Sequence, residues 1–354
     1  MNAITGLTAQ GQHMNRSTIA DIARKAMVST ATVDRVLNRR AGVSPANRQR
    51  VFQAAKDLGY FPSEGMVTLP SRPVHLEFFI PFVRNGFMHD LVDGITAVAS
   101  ALPLVASCNV TPLEGIGPDQ LLPALERISL GTSGVGLVTT DHPKTRHVIR
   151  GLNEAGIRVV TIASDVSSAS RAAYVGVDNL VAGRTAALMM GRMARAASGK
   201  IGLFLGSRAF HGHREREFGF RALIEEHFPA LTILPAVETG EDSIRSRQGM
   251  LKLLRAVPDL VGVYCVGAGR AGIAEAIRAG SGGARPFVIM HDLTEGTRLW
   301  LAEDLIDVVI DQNARLVGEQ AVIRLLGSIA VNAPLLLQKY IEPRIILREN
   351  IPNL

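Results

Sequence analysis

The sequence predicts an all-α helix-turn-helix head joined to an α/β body of two Rossmann-like lobes with parallel sheets. Three observations carry that reading. Residues 17–62 hold three short helical patterns with their start and stop signals in place. Positive charge is concentrated there: residues 16–56 contain nine Lys/Arg and two Asp, a net +7, whereas the whole chain is +6, so the remainder sums to −1. From Val74 onward, continuous apolar runs of strand length alternate with amphipathic helical stretches, the pattern of parallel sheets covered on both faces.

In the head, Ser17 or Thr18 caps the first helix, and Asp21, three residues after Thr18, suits a capping box. Ile19, Ile22, Ala23 and Ala26 recur at helical spacing. Met27–Val28 forms the turn, and Ser29 caps a second helix, 30–38, with Val33, Val36 and Leu37 on one face. Ser44 and Pro45 open the third helix as cap and first-turn proline, and Gly59 closes it. Val51, Ala54, Ala55 and Leu58 complete a small core. A bare three-helix bundle needs no such charge; one basic module on a near-neutral body points to nucleic acid.

Residues 1–16 read as a disordered extension in which Met14 is an alternative start, residues 17–62 as the helix-turn-helix domain, and 63–73, rich in Ser, Pro and Gly, as a linker. The body, 74–354, carries apolar runs such as HLEFFIPF, GVGLVTT, RVVTIASD, KIGLFLG, TILPAVE, VGVYCVG, PFVIMHD and DVVIDQ. Helices are expected at 88–101, 144–155, 180–197, 214–227, 243–255, 270–279, 294–303 and 314–329. So many units suit two sheets better than one, with lobe 1 at about 74–178 and 313–339 and lobe 2 at about 179–312 and 340–354. Two cysteines, 47% hydrophobic residues and 20% charged ones fit a protein of the reducing cytoplasm. No apolar run reaches a membrane span, and the N-terminus has no basic-then-apolar signal pattern.

In a helix-turn-helix the second helix enters the major groove, which assigns base edges to Thr30, Ala31 and Arg35. Arg bonds guanine bidentately, while Ala and Thr methyls meet thymine methyls. Ser29, Thr32, Asn38, Arg39 and Arg40 are placed to hold phosphates, which set register and affinity.

The runs TIADIARKAMVSTATVDRVLN and VSPANRQRVFQAAKDLGYFPS resemble the DNA-binding head of the lactose-repressor (LacI/GalR) family of bacterial regulators. Met27 stands where that family usually has glycine, and Asp34 where it usually has a small residue, so the operator sequence stays open. The resemblance implies that the linker folds into a short hinge helix on DNA with Leu69 as a minor-groove wedge. Gly65, Val67, Thr68 and Pro70 argue against helix, and an unstructured tether is the other reading.

The body likewise looks like a type I periplasmic-binding-protein body, whose lobes close over a ligand at the strand ends. The resemblance implies ligand contacts from Asn85, Phe87, Asp165, Arg214, Gly267, Asp292 and Gln312. Carboxylates, amides and a forked guanidinium suit paired hydroxyls, and an aromatic ring suits a sugar face. Read as residues alone, Asp165 and Asp292 are equally good helix caps, and Phe87 is equally good core.

One motif points elsewhere. Gly267-x-Gly269-x-x-Gly272 follows a strand and opens a helix, with Asp292 twenty residues on, which fits much of a dinucleotide fingerprint. It comes late in the domain, however, and in the resembling family this loop lines the ligand cleft, commonly with Asn-Asp where Gly267 and Ala268 stand. The expectation is therefore a homodimeric, DNA-binding, sugar- or polyol-responsive repressor, not an enzyme, with no cofactor or metal. The alternative is a dinucleotide-binding or redox-sensing regulator using Gly267–Gly272. With no apolar heptad tail after LREN, dimers are expected in place of tail-assembled tetramers.

Overall fold

The computed structural model describes residues 18–37, 43–58, 69–81, 85–167, 171–194, 198–280, 285–330 and 340–352. The expected 1–16 extension, Asn38, Arg39, Arg40, Gly59 and most of the 63–73 linker lie outside the described residues. The chain divides into two compact units, Met1–Thr68 and Leu69–Leu354.

The head is three helices: α1 (Ile19–Ala26), α2 (Thr30–Leu37) and α3 (Pro45–Asp57). Thr18 and Asp21 form the capping box, with Asp21 N donating to Thr18 Oγ1 (3.3 Å) and Thr18 N to Asp21 Oδ2 (2.9 Å). Hydrogen bonding from Thr18 holds the Asp21 carboxyl below its usual range. Met27 ends α1 in the left-handed region, φ 53°, where its Cβ is strained. Ser29 Oγ accepts from Thr32 N at 3.1 Å, capping α2. Ile22, Ala23 and Ala26 pack with Val33, Val36, Leu37, Val51, Ala54 and Ala55, so one face of each helix meets in a small buried core.

In the body, lobe 1 runs β1 (Val74–Pro81), α4 (Gly86–Ala101), β2 (Val105–Leu113), α5 (Pro118–Leu125), β3 (Thr132–Leu137), α6 (Pro143–Glu154), β4 (Arg158–Ile162) and β5 (Ala173–Val175). Its sheet is parallel, in the order β2-β1-β3-β4-β5. The chain then forms α7 (Asn179–Met193), β6 (Gly199–Leu205), α8 (His211–His227), β7 (Leu231–Ile233), β8 (Val237–Glu238), α9 (Ser243–Ala256), β9 (Leu260–Cys265), α10 (Arg270–Ala279), β10 (Phe287–His291), α11 (Glu295–Ala302) and β11 (Val308–Asp311). Helix α12 (Ala314–Ala330) returns to the first sheet, and β12 (Arg344–Ile346) joins the second. The second sheet reads β12-β11-β10-β9-β6-β7, with β8 also on β6; β12 alone in it is antiparallel.

Each sheet buries branched residues on both faces, as the continuous apolar runs require. Helices approach closely where glycine removes a side chain. A Cβ on Gly94 or Gly318 would stand well under 3.0 Å from the facing backbone of α12 or α4. Three features differ from the sequence expectation. TILPAVE splits into β7 and β8, because Pro235 has no N–H for the ladder. Helix α5 is unanticipated; it is eight residues long and interrupted by Pro123. Strand β12 is a three-residue edge with two exposed positions, too short to show an alternation.

Candidate functional site

Open parallel sheets leave a crevice at the carboxyl ends of their strands, and in this body the two lobes bring those ends together. From lobe 1 the start of α4 supplies Asn85 and Phe87, β3 leads to Val138, and the turn after β4 supplies Ala163 and Ser164. From lobe 2 come the first turns of α8 and α10, the β8–α9 loop with Glu241, and Asp292 after β10; Gln312 sits where the chain crosses between lobes. The cleft encloses about 50 Å³.

Arg270, the first residue of α10, spans this space. Its Nη1 donates to Asp292 Oδ2 (2.8 Å) and to the His291 carbonyl (3.1 Å), and its Nη2 to Asn85 Oδ1 of the other lobe (3.3 Å). Gln312 Nε2 donates to the second Asp292 oxygen at 2.7 Å. Asp292 holds a left-handed backbone, φ 67°, that turns its carboxylate back over the end of β10.

A second arginine, Arg216, lies behind. It shares the buried face of α8 with Gly219, Phe220 and Leu223. Its Nε donates to Asn179 Oδ1 (2.7 Å) and its Nη1 to the Val266 carbonyl (3.0 Å). Asn179 in turn donates to the Tyr174 hydroxyl (3.1 Å). Glu241, also at positive φ (66°), accepts from Ala268 N at 2.9 Å through Oε2, while Oε1 is buried without a hydrogen-bond partner. The missing side chains of Gly206 and Gly267 make room for that carboxylate and for His213. Burial pushes the Glu241 carboxyl up. Burial, reinforced by Arg216, pulls His213 down to about 3, so it is a neutral ring at ordinary pH. The same causes hold His291 well below its usual value, and its Nε2 lies 2.7 Å from the Tyr264 hydroxyl.

Asn85, Phe87, Gly267, Asp292 and Gln312 therefore line the cleft, although Asn85 also caps α4 through Phe87 N (3.0 Å). The other two expected residues, Asp165 and Arg214, are not among those that line it. Asp165 is taken by Arg171, which grips both its oxygens, and by Thr161 Oγ1 at 2.7 Å. Arg214 is half-exposed on α8, bonded to the Arg208 carbonyl (2.6 Å) and facing Asp141 of lobe 1 at 3.6 Å. Arg216, two residues on, lines the cleft instead; the i, i+3, i+4, i+7 spacing through Leu223 is the signal that marks it. Glu241 is not legible in the sequence either. Arg270 stands inside the glycine motif, and Glu241 follows a two-residue strand that leaves no pattern to read.

The same geometry disfavours the dinucleotide reading. Gly272 admits the backbone of α9, not a strand, since a Cβ there would collide with the Ser243 carbonyl. Both oxygens of Asp292, the would-be ribose acid, already accept from Arg270 and Gln312.

On the head, Ser29, Thr30, Ala31 and Arg35 are exposed and Thr32 is half-buried, so the start of α2 is open to a groove. The hydroxyls of Ser29 and Thr32 lie 2.9 Å apart, and Ser29 is the cap, which fixes both side chains. Leu69, at the start of the second unit, is 48% exposed.

A two-lobed α/β body with a polar cleft at its strand ends, carrying a helix-turn-helix head, defines a binding-protein body fused to a DNA-reading module. The chain belongs to the periplasmic binding protein domain family over residues 76–326, with a head of the bacterial regulatory proteins, lacI family, over residues 18–63. It is similar to the HTH-type transcriptional regulator GntR of Pseudomonas aeruginosa, 28% identical over 70% of this chain and 71% of that one. It is also similar to the ribose operon repressor of Halalkalibacterium halodurans, 38% identical over 26% of this chain and 29% of that one. The chain spans between 25% and 29% of the length of the first curated relatives it matches. Among solved structures, GanP, a glucose-galactose binding protein from Geobacillus stearothermophilus, aligns at a TM-score of 0.72 and 19% identity, over 80% of this chain and all of that one. That likeness establishes the fold of the body.

Proposed function

We propose that the chain is a ligand-responsive transcriptional regulator, a repressor of genes for uptake or breakdown of a sugar or polyol. The observation that carries this reading is the cleft. Buried hydrogen-bonding groups from both lobes converge there, on Arg270, Asp292, Gln312, Arg216, Glu241 and Asn85, in a chain whose head leaves the start of α2 open. Such groups suit paired hydroxyls, and the rings of Phe87 and Phe210 at the cleft suit a sugar face.

Arg270 bridges to Asn85 of the other lobe across the cleft, and an effector that displaces this bridge parts the lobes. That motion supplies two body states, and an effector that prefers one of them shifts DNA affinity, with an ordinary coupling of about 1–3 kcal/mol. Two copies of the chain present two heads to a nearly palindromic operator in the cytoplasm. Leu69 acts as the wedge where the linker meets DNA. The reading is of a sensor, in line with relatives named as transcriptional regulators and repressors.

The test is selection of duplexes from a random pool by the full chain, followed by anisotropy titrations across a sugar and polyol library. Salt-sensitive duplex binding that changes with one compound supports the reading. Absence of any duplex binding at low salt overturns it.

A further inference from the structure

Inside the cleft the lobes meet through two hydrogen bonds, Arg270 Nη2 to Asn85 Oδ1 (3.3 Å) and Gly212 N to Ser164 Oγ (3.4 Å). An occupant of the cleft competes with both. A further contact between the lobes lies outside it. Arg214 of α8 brings Nη2 to 3.6 Å from Asp141 Oδ2, in the turn between β3 and α6, and neither residue lines the cavity. Unlike the two hydrogen bonds, this contact pairs opposite charges.

Each half of the pair is held from within its own lobe. In lobe 1, Ser167 donates to Asp141 through N (3.2 Å) and Oγ (2.7 Å), and Arg146 Nε stands 3.0 Å from the same carboxylate, whose side chain is 7% exposed. In lobe 2, Arg214 Nη1 donates to the Arg208 carbonyl (2.6 Å) and Nη2 lies 3.3 Å from His211 Nδ1. Both side chains are thus ordered by their own lobes, so the pair forms with little loss of rotamer freedom. Partial burial of the carboxylate limits screening. When the lobes part, Asp141 keeps Arg146 and Ser167 while Arg214 keeps the Arg208 carbonyl, so neither charge is stranded. Such a contact suits repeated opening.

We propose that Arg214 and Asp141 form a latch that sets the balance between closed and parted lobes, whatever fills the cleft. Arg214 is a positioning residue: it acts on the lobe equilibrium and not on the effector. An effector that parts the lobes works against the latch, and its differential affinity for the two states has to exceed what the pair contributes. One ion pair outside the cleft therefore tunes the effector concentration at which the body responds.

Pulsed electron-spin distance measurement on the full chain, with no ligand added, tests the latch. Labels go on Gly151→Cys in α6 and Glu225→Cys in α8, both open to solvent, with Cys108→Ala; Cys265 is buried and stays. Labelled chain is diluted with unlabelled chain, so distances report on one copy. Arg214→Gln is expected to lower the ratio of the shorter to the longer lobe separation at least three-fold, Arg214→Glu to lower it further, and Arg214→Lys to stay near the wild type. Raising salt from about 0.05 M to about 1 M, where the screening length is about 3 Å, should shift the wild type the same way and leave Arg214→Gln in place. Gln and Glu variants with the wild-type distribution overturn the latch, and so does an equal salt shift in Arg214→Gln. If Arg214→Glu misfolds, the Gln variant and the salt series decide alone. Because no compound is added, failure here leaves the sugar or polyol sensor standing.

Discussion

Arg270 and Asp292 meet at 2.8 Å inside the cleft, 7% and 6% exposed, with Gln312 on the far oxygen of the carboxylate. Removing one partner strands a buried charge, while removing both does not. Asp292→Ala is expected to cost about 3–5 kcal/mol in urea unfolding of the body. The Arg270→Met, Asp292→Leu double variant should cost clearly less. A double-variant loss as large as the sum of the separate Arg270→Met and Asp292→Leu losses would show that the pair is not electrostatically coupled.

Met27 holds a left-handed backbone at the end of α1, where a Cβ costs about 1–2 kcal/mol. Its side chain is 76% exposed, so little packing is lost on removing it. Met27→Gly is expected to stabilise the head by about 1 kcal/mol, part of the relief being offset by glycine's freedom in the unfolded chain. Protease resistance of the head under graded urea reads this out, and a fall in resistance would refute it.

A Cβ on Gly183 of α7 would stand well under 3.0 Å from the Arg216 carbonyl of α8. Gly183→Ala therefore pushes apart two packed helices and moves the Arg216 guanidinium with them. A loss of about 1–3 kcal/mol in body stability is expected, together with weaker effector binding. Gly151, in α6, faces open space, so Gly151→Ala is the contrasting case, gaining roughly 0.5–1 kcal/mol. Thermal unfolding of both variants makes the comparison.

Acid should unfold the body early. His213 sits at about 3 when folded against 6.5 for a free ring, so between those values the unfolded chain takes up a proton that the folded chain refuses. Its contribution is complete above pH 6.5 and declines as pH falls, by up to about 1.4 kcal/mol per unit. His291 adds to the same limb. Glu241 has the opposite sign: its raised carboxyl weakens the fold as pH climbs above 4.5. Urea midpoints measured from pH 7 to 4 should fall, and His213→Gln should flatten the slope.

The exposed start of α2 yields a prediction for DNA. Arg35→Ala is expected to cost about 1–3 kcal/mol on the preferred duplex and little on unrelated ones. A uniform loss across sequences, with a shallower salt dependence, would make Arg35 a phosphate contact instead.

Much of this architecture is legible without coordinates, because periodicity is a local property. The apolar runs of β1, β3, β6 and β9 and the capped helices of the head are all local patterns. What escapes is decided by partners distant in sequence or by the phase of a helix. Asp165 resembles any acid at a strand end until Arg171 folds back on it. Arg214 and Arg216 both read as charges on α8, yet a 200° difference in direction sends one towards Asp141 and the other into the cleft. Glu241 depends on two successive left-handed residues, Gly240 and Glu241, which no alternation announces.

The chain passes from one lobe to the other three times: after β5, after β11, and between α12 and β12, with Val177 and Ile341 joined where the first and third passages run side by side. Neither lobe is therefore a contiguous stretch of sequence. A truncation ending at Asp311 would strip α12 from the first sheet and β12 from the second together. For anyone cutting this protein for separate study, the lobes are inseparable by a single boundary, and the natural unit of expression is the whole body.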